Sequence, residues 1–180
     1  MVIAQHYSKG CSRTRVYAHA LYDKQSNSMN GVAMWLPPTG PAAKSVNQDE
    51  WQKVLSLTRL VIMPGVPKNA CSFLLARSVE MIRKEGRFVS LVTYADDSQG
   101  HTGGIYKASN WAYIGRMKGS LRWTTPEGRQ VSTKATVNRT YAQMEALGYT
   151  RSGPFYKHKF ILHLDRKKQK KLLLERKNKP

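Results

Sequence analysis

The sequence predicts an α/β domain built on a mixed, mostly antiparallel twisted sheet flanked by helices. Three stretches carry that prediction. A hairpin pattern comes first, a strand–helix–strand unit occupies the middle, and a helix followed by an alternating strand comes late.

Val16 to Asp23 puts Val16, Ala18, Ala20 and Tyr22 on alternating positions, the period of a strand with one buried face. The polar stretch that follows ends in Asn30-Gly31, a dipeptide suited to a tight turn, and leads to a second strand at Val32–Leu36. Pro37 and Pro38 stop that strand because proline has no N–H for a ladder, so residues 37–50 read as a loop. Leu55–Met63 is the third strand, broken by Pro64-Gly65-Val66-Pro67. Asn69 is placed to cap a helix over Ala70–Lys84, and Gly86 to end it in the left-handed conformation. Phe88–Thr93 is almost continuously apolar or β-branched, as expected of a strand covered on both faces. A right-handed crossover then makes the two strands of this middle unit parallel.

Further along, Gly104–Asn110 suits a short helix. Arg116–Trp123 and Gln130-Val131 read as strands around a turn at Pro126-Glu127-Gly128. Arg139–Leu147 is helical up to Gly148, and Phe155–Leu164 alternates as a final strand. Residues 1–164 are expected to form one domain, and residues 165–180 a basic tail. Leu172-Leu173-Leu174 in that tail would dock either on the body or on a membrane.

The composition points to a partner. Thirty Lys and Arg against 11 Asp and Glu give a formal net charge of +19 over 180 residues. Such an excess favours a polyanion, and double-stranded DNA is the expected one. No apolar run reaches the roughly 18 residues of a membrane span, and the first residues lack the pattern of a secretory signal. Two cysteines, Cys11 and Cys71, offer no disulfide framework, so a cytoplasmic protein without a membrane partner is expected. Nothing in the sequence decides the oligomeric state, and a homodimer stays open.

Chemistry concentrates between Tyr94 and Gly115, where an acidic pair, several glycines, His101, Tyr106 and Asn110 follow directly on a buried strand. Open α/β sheets place ligands at such strand ends. Asp96 reads either as an acidic cap or as a carboxylate that orients an amino group, accepts its proton or binds a metal. His6, Asp96 and His101 are the candidate metal ligands, although spacing alone does not assemble them. Tyr106 and Asn110 lie one helical turn apart, either as a buried polar pair or as groups that meet a base. Arg59, inside an apolar strand, either keeps its head in water or holds an anion. Ser72 is either a helix-start residue or a positioning group. The absence of an H-x-E and C-x-x-C pattern argues against zinc deaminase chemistry.

The element order is that of the GNAT-type acyltransferases. The segments His6-Tyr7-Ser8, Arg59-Leu60-Val61, Pro67–Leu74, Tyr94-Ala95-Asp96 and Gly100–Trp111 together resemble the Mom proteins of Mu-like bacteriophages. That resemblance implies a GNAT-like enzyme in the cytoplasm of an infected bacterial host. It would convert adenine in phage DNA to an N6-carbamoylmethyl form, protecting it from restriction. It also implies catalytic roles for His6, Tyr7, Asp96 and Tyr106, and substrate or donor contacts for Arg59, Ser72, His101 and Asn110. Phosphate contacts are expected from Arg116, Lys118, Arg122, Lys157, Lys159, Arg166 and Lys167.

The group donor is expected to be an acyl or glycyl-type molecule. Acetyl-CoA fits poorly, because the connection from Val61 to Ala70 holds one glycine and two prolines where a pyrophosphate needs N–H donors. The rival readings are an orthodox acyl-CoA-dependent N-acyltransferase and a non-catalytic nucleic-acid-binding module.

Overall fold

The computed structural model of the chain describes residues 15–131 and 138–178. His6, Tyr7, Cys11 and Lys134 lie outside the described residues. Strands β1 (Tyr17–Tyr22) and β2 (Met29–Leu36) form the expected hairpin, with Tyr17 opposite Trp35 and Ala20 opposite Val32. β3 (Val54–Ile62) pairs antiparallel with β2 and parallel with β4 (Ser90–Asp96). The crossover between them is α2 (Ala70–Glu85), which follows a short α1 (Gly40–Lys44) in the segment expected to be loop. Pro41 sits in the first turn of α1, where its missing N–H costs no helical bond.

Helix α2 begins after Asn69 and ends at Gly86 with φ +74°, a conformation that suits glycine. The Asn69 side chain makes no capping bond; instead Ser72 Oγ donates to the Asn69 carbonyl at 2.9 Å. The inner face of α2 buries Leu74, Leu75, Ser78, Val79 and Ile82 against Leu55, Leu57 and Leu91 of the sheet. Ser78 is fully buried and holds two elements, accepting from Trp35 Nε1 at 2.7 Å and sharing a proton with His19 Nδ1 at 2.6 Å.

The chain then makes α3 (Gly104–Ala108), β5 (Ala112–Arg116), β6 (Ser120–Thr124), α4 (Tyr141–Ala146), β7 (Thr150–Phe155), β8 (Lys157–His163) and α5 (Arg166–Lys177). The main sheet has six strands in the order β1-β2-β3-β4-β8-β5, while β6 and β7 form a separate antiparallel pair. The expected single strand over Arg116–Trp123 is thus two strands in two sheets. Gly115, at φ +144°, and Gly119, against Pro154 and Tyr156, carry the chain from one sheet to the other.

The tail segment folds as α5 and packs on the body. Asp165 caps it by accepting from Lys168 N at 2.7 Å. Buried Gln169 accepts from His163 N at 2.8 Å and donates to the Asn110 carbonyl at 2.7 Å. Leu172 joins Ala43, Val54, Val92 and Ile161 on the sheet face opposite α2, which explains why β4 is apolar on both sides. Among the described residues no helix is long and apolar enough to cross a membrane.

Candidate functional site

Parallel pairing of β3 with β4 stops at Leu57 opposite Thr93, although β3 runs on to Ile62 and β4 to Asp96. Beyond that point each strand keeps its outer partner: Ile62 stays with Gly31 of β2, and Asp96 with Lys157 of β8. The two strands therefore diverge at their carboxyl ends, and the gap is a cleft of about 550 Å³. Arg59, Cys71, Thr93, Asp96, His101 and Tyr106 are among its walls. Ligands bind at this end of open α/β sheets, where loops and strand ends converge.

Asp96 is the most constrained group there. It is 4% exposed, and its Oδ1 accepts from Ser98 Oγ at 2.6 Å and Ser98 N at 3.2 Å. Its Oδ2 accepts from Arg122 Nη2 at 2.7 Å. Burial pushes its pKa up, but the Ser98 hydroxyl and the Arg122 charge outweigh that and hold the carboxyl below its ordinary range. Asp97 has a different task, accepting from Tyr156 N at 2.9 Å and so fixing the step from β7 to β8. A second hollow of about 720 Å³ lies beyond, lined by Arg122, Arg139, Tyr141 and Lys157. It shares Arg59, Asp96 and Gln99 with the cleft, which places the buried carboxylate where the two spaces join.

Close packing sets the loop that bounds the cleft. Gly103 has φ +77° and rests on the Phe160 ring, where a Cβ would come within 2.3 Å of two ring carbons. Tyr106 follows in α3 and packs its ring 5.2 Å from Phe160 and 5.7 Å from Trp111. Three backbone positions of the β3–α2 connection offer no N–H to an anion. Pro64 and Pro67 have no N–H, and the Ala70 N–H is bonded to the Pro67 carbonyl at 2.9 Å.

The structure gathers some of the predicted residues and separates others. Arg59, Asp96, His101 and Tyr106 meet at the cleft, and Arg122 and Lys157 at the adjoining hollow. Ser72 and Asn110 instead line a groove between α2 and α5. Asn110 does not share a face with Tyr106, because α3 stops at Ala108 and Asn110 turns the chain with φ +60°.

Lys159 is not on a surface. It is 4% exposed, with Nζ donating to Ser45 Oγ at 2.7 Å, and burial pushes its pKa down. Arg116, Lys118, Arg166 and Lys167 are exposed. Arg116 lies over the Tyr156 ring at 4.2 Å. Of the candidate metal ligands, Asp96 has Oδ1 bonded to Ser98 Oγ and Oδ2 to Arg122 Nη2, and His6 lies outside the described residues. Among the described residues no three His, Cys, Asp or Glu side chains cluster.

The Arg122 pairing with Asp96, and the Phe155 ring beneath that guanidinium at 4.3 Å, had no local signal in the sequence. Both depend on the separate β6–β7 sheet. The one available hint was Arg122 inside a strand-like run beside a tryptophan.

A mixed sheet whose central parallel pair splays open over a crossover helix is the GNAT acyltransferase fold. The match to solved structures shows the same. A protein assigned as a phosphinothricin N-acetyltransferase aligns with a TM-score of 0.51 and 11% identity, over 86% of this chain and 75% of that one. One assigned as a streptothricin acetyltransferase, from Bacillus anthracis and solved with acetyl coenzyme A, aligns at 0.50 and 9%, over 88% and 68%. The chain spans 65%, 69% and 62% of the length of three further solved structures it matches. Within that fold class the chain belongs to the Mom protein family, whose profile matches residues 1–180. No curated protein matches it significantly.

Proposed function

We propose that this protein is a transferase that attaches a small carbamoylmethyl-type group to N6 of adenine in phage DNA, in the cytoplasm of the infected host, shielding the DNA from restriction. One observation carries the reading: the cleft between the splayed strands and the basic hollow meet at a single buried carboxylate, Asp96. A donor seated between the splayed strands and a base entering from the cationic side would then face each other across it. The net charge of +19 supports a polyanionic substrate.

Adenine N6 is a weak nucleophile because its lone pair is delocalised into the ring. An ionised Asp96 accepts a hydrogen bond from the N6 amino group, aims its lone pair at the donor and raises electron density on nitrogen. Base extrusion into the hollow supplies the access that a stacked base lacks. An acyl-CoA-dependent reaction on another amine is the rival. The proline-containing β3–α2 connection weighs against it, since it removes donors where a pyrophosphate would sit.

The test is expression in a bacterial host, digestion of its DNA to nucleosides and mass spectrometry. A heavier deoxyadenosine is expected. Unmodified DNA from soluble, folded protein overturns the reading.

A further inference from the structure

We infer that Arg122 is a latch standing in for the acceptor base, and that Phe155 is the platform on which the extruded adenine stacks. This rests on the DNA-adenine reading above. In the structure the planar Arg122 guanidinium lies over the Phe155 ring with its carbon 4.3 Å from the centroid, and it donates to Asp96 Oδ2 at 2.7 Å. These are the two contacts that an adenine at this site would need. Its ring would stack on an aromatic face, and its N6–H would donate to a carboxylate oxygen. The adenine amino group is planar with its ring, as the guanidinium nitrogens are with their carbon, so N6–H takes the place of the one Arg122 Nη2–H on Asp96 Oδ2, with the N1 acceptor turned away from the carboxylate.

The placement of the residues supports exchange. Phe155 in β7 pairs with Ser120 in β6, and Arg122 reaches the same ring from two residues along β6. The Arg122 side chain keeps 21% of its surface exposed, against 5% for Asp96, so the arginine is the partner with room to move. Arg122 also lines the basic hollow beside Arg139 and Lys157. Swung off Asp96, it stays among cations and meets a phosphate flanking the extruded base. Guanine offers an O6 acceptor where adenine has an amino group, and an acceptor facing the Asp96 carboxylate is repelled. The same pair thus gives adenine preference over guanine.

Isothermal titration of the full chain with 2′-deoxyadenosine tests the assignment, because an uncharged probe separates the latch from any phosphate contact. Arg122→Ala binds the nucleoside at least about threefold more tightly than wild type, since the competitor for Asp96 and Phe155 is gone. Phe155→Leu binds at least about fivefold more weakly, and Phe155→Tyr, which keeps the ring face, stays within about twofold. Should Arg122→Ala not fold, Arg122→Gln takes its place, as it likewise cannot form the ion pair.

The proposal is overturned by an Arg122 variant that binds as wild type or more weakly, or by Phe155→Leu binding as wild type. Absence of binding to both wild type and the Arg122 variant overturns it too. Nucleoside mass spectrometry of host DNA separates the two claims. Modified DNA with a contrary titration removes the subsite and leaves the function standing. The expected titration with unmodified DNA removes the function and leaves an adenine site.

Discussion

Asp96 and Arg122, 26 residues apart in sequence, meet in a 2.7 Å ion pair that joins the six-stranded sheet to the two-stranded one. The carboxylate is the buried member, and the guanidinium side chain keeps about a fifth of its surface exposed. A buried ion pair of this kind is weak evidence of stabilisation, because desolvation offsets much of the attraction. Its place at the junction of cleft and hollow argues for a functional reason instead.

Asp96→Asn keeps the shape but loses the charge. Modified deoxyadenosine in host DNA is expected to fall at least about 100-fold, the usual effect of removing a positioned proton acceptor. Loss of the charge-assisted bond to Arg122 lowers stability by about 1–3 kcal/mol, readable as a reduced urea midpoint. A variant with wild-type modification would show that Asp96 is only an anchor for β6.

Gly103 and Gly104 make a matched pair of substitutions. A Cβ at Gly103 lands 2.3 Å from Phe160 ring carbons on a backbone at φ +77°, whereas Gly104 has open space around it. Gly103→Ala is expected to destabilise by roughly 2–4 kcal/mol, from left-handed strain plus overpacking. Gly104→Ala, at the first position of α3, stays within about 0.5 kcal/mol of wild type or improves on it. Thermal melts of the two variants decide this, and equal melting temperatures would mean that the Phe160 contact does not constrain the loop.

Much of the scaffold was legible because local chemistry and tertiary packing agree. Asn69 and Gly86 bracket α2 almost to the residue, and the apolar run of β4 is covered on both faces as expected. The β6–β7 sheet was hidden because β7, Thr-Arg-Ser-Gly-Pro-Phe, is exposed along most of its length and carries a turn-like Gly-Pro. Without that sheet, the partner of Asp96 has no address. Lys159 shows a second limit. Lys157 and Lys159 fall on one face by strand period, yet the first is exposed and the second buried against Ser45, where the turn after α1 covers the middle of β8. Periodicity assigns faces; it does not say how far along a face the next element reaches.

That distinction gives a measurable difference between lysines. Lys118 and Lys167 are exposed, and each alanine variant is expected to lower the slope of log binding constant against log salt by about 0.9 for duplex DNA, one phosphate contact apiece. Lys159→Met leaves that slope unchanged, because Nζ is bonded to Ser45 inside the fold. Fluorescence anisotropy titrations across a salt series make the comparison. A slope change for Lys159→Met equal to that of Lys118→Ala would put the buried lysine on the DNA after all.

The acid limb of stability follows from one buried histidine, His163, and one partly buried one, His19. His163 is 7% exposed, its Nδ1 2.8 Å from Ser90 Oγ; burial pushes its pKa below the ordinary 6.5, Lys168 adds to that and Asp165 opposes it. His19 is likewise lowered by burial, against a smaller opposing pull from Glu85. Above about pH 6.5 both forms of the chain carry neutral imidazoles, so the folded state has no penalty. Below it the unfolded chain takes up protons that the folded chain refuses, and stability falls until the lowered folded values are reached. Asp96 acts in a separate window, its contribution held above the ordinary carboxylate value of 3.8 and lost only as pH falls below that. The urea midpoint is therefore expected to be level above about pH 7 and to drop between about pH 6.5 and 5, with His163→Gln showing a shallower drop. A midpoint constant across that interval would mean that the imidazoles are protonated in place.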